Sequence, residues 1–169
     1  MRVGLRGQLR RVWAPRGVKV RQTVEMKYVW RYLVLAVEPS GALRWEWTER
    51  MKKEQIAPVV ARWKEAGLRA LVWDNATSHR SKEVRDTGMA LIGLPPYSPE
   101  LNPAERVFEE LRRAVEGRVY GEIEKKVEAV ERELTQLAAD PERVKQLTRW
   151  EWIQQSLASL PPHFAAPPD

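Results

Sequence analysis

Residues 68–94, LRALVWDNATSHRSKEVRDTGMALIGL, decide the fold. Two short apolar runs, LRALVW at 68–73 and MALIGL at 89–94, flank a polar stretch around 79–86. Apolar runs of this length, set off by Gly67 and Gly88, read as buried strands, and the polar stretch reads as a helix. Strand, helix, strand is the connection that parallel pairing requires, because a tight hairpin joins only antiparallel neighbours. Asp74 follows the first run directly. In open α/β sheets, ligands gather outside the carboxyl ends of strands.

Upstream, residues 51–66 carry Ile56, Val59, Val60 and Trp63 at helical spacing, and Gly67 supplies a stop. Segment 28–37, YVWRYLVLAV, is rich in β-branched and aromatic residues and reads as a strand. Pro39-Ser40-Gly41 makes a turn, and ALRWEWT at 42–48 alternates as a hairpin partner with Leu43, Trp45 and Trp47 on one face. Downstream, the loop PPYSPELNP is stiffened by Pro95, Pro96, Pro99 and Pro103. Three helices close the chain. The first buries Val107, Phe108, Leu111 and Val115; the second repeats Ile123, Val127, Val130, Leu134 and Leu137 at near-heptad spacing. The third opens with Asp140 as N-cap and Pro141 at N1, and buries Val144, Leu147, Trp150, Ile153 and Leu157. The expectation is an α/β domain over residues 1–160, a partly parallel sheet with helices packed on it, followed by a Pro-rich disordered tail at 161–169.

A chain of 169 residues is long enough for one domain with a core, and 43% hydrophobic with 31% charged residues is a globular balance, not a disordered one. The longest strongly apolar stretch, Tyr32 to Val37, is far too short to span a bilayer. No signal-peptide pattern opens the chain, and with no Cys there is no disulfide framework or thiolate metal site, so cytoplasmic residence away from membranes is expected. The net charge of +6 is uneven: residues 1–21 hold seven basic groups and no acid, whereas residues 102–169 hold ten basic and thirteen acidic groups. A basic amino end on a mildly acidic body points to a polyanion contact there, or to a merely solvated segment.

The chemistry-bearing residues lie after the strands. Asp74 begins a Trp-Asp-Asn sequence with Asn75, and His79 follows five residues on. Glu105 sits in the first turn of the next long helix, after Asn102, where unpaired N–H groups and the helix dipole orient a carboxylate. Glu109, four residues on, shares that helix face. Two rigidly held carboxylates suit Mg²⁺, a hard ion that prefers oxygen ligands, and phosphodiester chemistry commonly uses two such ions and a further carboxylate. Structural roles fit the same residues. Asp74-Asn75 could initiate a turn or cap a helix, and Asn102 with Glu105 fits a capping box. His79 reads as a surface hydrogen-bonding residue, and the tryptophans read as core.

LVWDNATSHRS at 71–81 and LPPYSPELNPAERVFEELRR at 94–113 resemble the DDE-superfamily transposases of bacterial insertion sequences, in the mariner-like branch numbered six-thirty. RRVWAPRG at 10–17, EGRVYGEIEKKVEAVE at 116–131 and LAADPERV at 137–144 are similar to the same family, so the resemblance covers nearly the whole chain. It implies a ribonuclease-H-like mixed sheet flanked by helices, with C-terminal helices and a first strand cut short at the start of this sequence. It also implies a two-ion Mg²⁺ or Mn²⁺ site, with cleavage at transposon ends and joining to target DNA. Asp74 matches the second acid and Glu105 the third; Asn75, His79 and Asn102 match supporting positions. The first acid falls a few residues before the segment that here begins at Met1, and the first acid in this chain is Glu25, past the Trp13–Gly17 landmark. Weak or no cleavage by this chain alone is therefore expected. It reads either as the catalytic half of a longer or frameshifted product, paired with an upstream reading-frame product, or as an inactive remnant or accessory that binds DNA or oligomerises. Arg10, Arg11, Arg16 and Lys19 are expected to contact double-stranded DNA, and a homodimer fits a protein that joins two DNA ends.

Overall fold

A computed structural model describes residues 1–7, 13–74, 76–148, 151 and 155. Among the described residues five strands and five α-helices follow in this order: β1 (Arg2–Gly4), β2 (Trp30–Val37), β3 (Leu43–Thr48), α1 (Lys53–Glu65), β4 (Ala70–Trp73), α2 (Lys82–Arg85), β5 (Ala90–Gly93), α3 (Pro103–Val115), α4 (Ile123–Ala138) and α5 (Pro141–Thr148). A 3₁₀ turn at Pro99–Leu101 leads into α3. The strands form two ladders: an antiparallel sheet in the order β1-β2-β3, and a parallel pair β4-β5. Ala70 aligns with Ala90 and Trp73 with Gly93, the parallel register that the α2 crossover allows.

Strand alternation sorts side chains between two cores. In the β2-β3 hairpin Leu33 faces Trp47, Leu35 faces Trp45 and Val37 faces Leu43. Their shared face packs with Val107, Leu111, Val130, Leu134 and Val144 from α3, α4 and α5. The stripe at 123–137 is therefore spent within the molecule: Ile123, Val130, Leu134 and Leu137 are buried in the chain's own core. Glu131 of α4 lies beneath this hairpin and accepts from the indole nitrogens of both Trp45, at 3.0 Å, and Trp47. The opposite face of β2 supplies Val34 and Ala36 to the second core, where Ile56, Val59, Val60 and Trp63 of α1 meet Leu71 and Met89.

Local chemistry closes each element. Asp140 caps α5 by accepting from Arg143 N–H at 3.0 Å. Gly67 ends the α1 connection at φ +94°, a conformation that favours glycine. Pro58 lies inside α1 without ending it. The helix expected around 79–86 is shorter, Lys82–Arg85, because His79 and Arg80 N–H groups turn back to Ala76 O first and Ser81 then caps the helix. Not all tryptophans are core: Trp13 is fully exposed. Trp150, Ile153, Leu157 and the tail at 161–169 lie outside the described residues. Among the described residues no helix is long and apolar enough to cross a membrane.

Candidate active site

Asp74 stands at the carboxyl end of β4, where the parallel pair presents its strand ends. Its Oδ1 accepts from Ala76 N–H at 3.1 Å, closing an Asx turn, and lies 2.7 Å from Nδ1 of His79. The His79 ring is stacked on Trp73, 4.2 Å between centroids and 6° from parallel. His79 is thus pinned by both the residue before Asp74 and Asp74 itself. Asn75 lies outside the described residues. The turn-initiating role of Asp74 is real, and it leaves the carboxylate 62% exposed and held in one orientation.

Glu105 occupies the first turn of α3. Asn102 caps that helix through Ala104 N–H at 3.1 Å. The reciprocal half of a capping box is replaced, since Asn102 N–H donates to Pro99 O at 3.0 Å. Glu105 instead accepts from Arg112, two turns along the helix, at 3.0 Å. Glu109 is drawn away to Arg106 at 2.8 Å. Sequence reasoning missed Arg112; its i, i+7 spacing from Glu105 was the available signal. The loop leading into α3 carries Tyr97 fully exposed at φ 59°, a left-handed conformation uncommon for tyrosine.

The amino group of Met1 lies at the start of β1, within the fields of both acids. It donates to Leu33 O at 2.6 Å, and its pKa falls from 8.0 to about 6. Burial is the main cause; the fields of Glu105 and Asp74 oppose the fall, and that of Arg112 adds to it. Among the described residues no three acids or histidines are gathered as a metal cluster. The donor set that is present, two solvent-reaching carboxylates on rigid elements, fits part of a hard-cation site.

The basic residues divide. Arg10 and Arg11 lie outside the described residues. Arg16 and Lys19 lie in the exposed run 13–21, on an arm between β1 and β2. The arm's base is closed by Leu5 N–H to Val29 O and Gly7 N–H to Glu25 O. Gly121 N–H donates to Glu25 and Lys27 donates to Gly121 O at 2.7 Å, tying the arm to the α3–α4 loop. Lys126, buried in α4, donates to Gly4 O at 2.7 Å, and burial lowers its pKa.

An acid at a strand end and an acid at a helix start, on antiparallel and parallel ladders backed by helices, define an α/β protein of the ribonuclease-H-like class. The chain belongs to the DDE superfamily endonuclease family, whose pattern matches residues 1–126. The Mos1 transposase paired-end complex with left transposon end is similar in structure, with TM-score 0.57 and 16% identity over 89% of this chain and 54% of that one. The Mos1 mariner paired-end complex with Mn gives the same values. The Mos1 strand transfer complex gives TM-score 0.56 and 19% identity over 88% and 52%. The chain thus spans about half the length of these structures. No curated protein matches it in sequence.

Proposed function

We propose that this chain is the catalytic region of a DNA transposase of the mariner-like, insertion-sequence branch, with Asp74 and Glu105 as two of its metal-holding acids. The observation that supports the reading is the exposed Asp74 carboxylate held at the carboxyl end of β4 by Ala76 N–H and His79, in a chain whose family pattern spans residues 1–126. Asp74 and Glu105 would hold Mg²⁺ or Mn²⁺, which activates an attacking oxygen and stabilises the leaving one in phosphodiester chemistry. His79, braced on Trp73, orients Asp74. Asn102 fixes the turn that carries Glu105, and Arg112 steadies its carboxylate. Asn75 is assigned a supporting place beside Asp74. The DNA partners are transposon ends and target duplex, gripped by Arg10, Arg11, Arg16 and Lys19, and the working form is a homodimer.

The resemblance implies a third acid, which in this reading would be carried on an extension of β1 or on an upstream reading-frame product. The test is nicking of supercoiled DNA by the chain as given and by a chain extended upstream to include an acid, with Mg²⁺ or Mn²⁺. Metal-dependent nicking by the extended chain, lost in Asp74→Asn and in Glu105→Gln, is the expected result; nicking that survives both substitutions would overturn the assignment. The second reading, a DNA-binding or oligomerising accessory without catalysis, draws on the two-acid donor set. Duplex binding without nicking by either chain would favour it.

A further inference from the structure

The face of β1 and β2 turned away from α3 and α4 carries aromatic and basic side chains in alternation. Val3 and Leu33 point into the core, so Arg2, Gly4, Trp30 and Tyr32 fall on the other side. Helix α1 covers that side only further along, at Val34 and Ala36, and neither Trp30 nor Tyr32 belongs to either core among the described residues. The Trp30 indole lies directly on the β1 backbone: a Cβ at Gly4 would come within 2.0 Å of the ring. The Arg2 guanidinium sits 4.4 Å from the centre of that ring, and Arg6 sits 5.0 Å over Tyr28, which is 63% exposed. Tyr28 meets Trp30 edge-on, 6.4 Å between centroids. Beside them opens a cleft of about 510 Å³ lined by Trp30, Tyr32, Glu49, Arg50, Met51 and Lys52.

The charge on this face has no internal answer. Arg31, Arg44 and Arg62 each pair with a glutamate. Arg2, Arg6, Arg50 and Lys52 form no ion pair among the described residues, and Glu49 is the single acid lining the cleft. Cations over aromatic rings, with further cations around an open cleft, suit a ligand that is both a polyanion and a source of flat rings. A duplex offers phosphates and base edges but no free ring face, because its bases are stacked on one another; an unpaired strand offers both phosphates and ring faces.

We propose that this face binds single-stranded DNA, with a base stacking on the exposed Tyr28 ring, Trp30 supporting that ring edge-on, and phosphates meeting Arg2, Arg6, Arg50 and Lys52. The proposal deepens the DNA-processing reading by naming the form of DNA bound, yet its readout is independent of cleavage. The experiment is fluorescence anisotropy of a labelled oligothymidylate and of a labelled duplex of equal length, with circular dichroism to confirm folding. Tyr28→Ala, at an exposed position, should weaken single-strand binding about 5- to 100-fold, the range of one lost base stack, while duplex binding changes less than about twofold. Trp30→Ala, which removes the edge-on support of Tyr28, and Gly4→Ala, which displaces the indole, should each reproduce the loss in part. Unchanged single-strand affinity in Tyr28→Ala would overturn the proposal. Equal losses for single strand and duplex would also overturn it, reducing the face to a general polyanion patch. Cleavage that fails while oligothymidylate binding persists would count against the active site alone; the converse would count against this face alone.

Discussion

At the residue scale the candidate site is a set of positioned charges, and Met1 reports on it. Its amino group has a folded pKa of about 6 against 8.0 when exposed. Below about pH 6 the group is charged in both folded and unfolded chains, and the cost of burying that charge is felt in full. Between about pH 6 and 8 the unfolded chain holds more proton, so stability rises with pH; above about 8 the effect is gone. The gain across that window is on the order of 2 kcal/mol. Acetylating Met1 keeps an N–H for Leu33 O and removes the charge. Urea unfolding of the acetylated chain should show that much less pH dependence than the free chain; identical curves would sink the burial argument. The two acids yield a second expectation at this scale. If Asp74 and Glu105 act as one unit, Asp74→Asn combined with Glu105→Gln lowers nicking by the extended chain no further than either alone. Additive losses, measured as initial nicking rates, would mean that the residues act separately.

At the element scale, packing decides what each segment contributes. Leu134 is fully buried in α4 where the hairpin and α3 converge, so Leu134→Ala should cost roughly 2–5 kcal/mol. Gly41 turns the hairpin at φ +87°, and a Cβ there would approach Pro141 O to 2.3 Å. Gly41→Ala should therefore lift α5 off the hairpin and lower the midpoint of thermal unfolding. Replacing Gly67, at φ +94° but with open space around it, should cost less. A larger loss at Gly67 than at Gly41 would contradict the packing argument. The hairpin and α1, α3 and α4 were legible in the sequence because alternation and helical spacing mark one buried face directly. The placement of Asp74 after a strand and of Glu105 in a first helical turn was legible because each sits at an element's end. The four-residue length of α2 was not, since it depends on the Asp74–His79 turn. Nor was Arg112 beside Glu105, a contact that needs the helix built before its partner is visible. Trp30 on Gly4 was hidden for the same reason: strand register, not composition, lays that ring on β1.

At the scale of the whole molecule, charge would set how a duplex approaches under the proposed reading. Residues 1–21 carry seven basic groups without an acid, while residues 102–169 are net acidic by three. The arm is anchored at its base by Glu25 and Lys27 to Gly121, so its charges are presented from a fixed origin. Arg16 and Lys19 on this arm are exposed, as phosphate contacts must be. Each phosphate contact releases counterions and contributes about 0.9 to the slope of log affinity against log salt. Duplex binding should thus fall steeply with salt, and Arg16→Ala with Lys19→Ala should reduce that slope by about two units without altering any preference among duplex sequences. Affinity measured at several salt concentrations, on a transposon-end duplex and on a scrambled one, checks both halves. A flat salt response would remove the arm from the DNA interface. A preference for one duplex that vanished with Arg16 would instead place a base contact there.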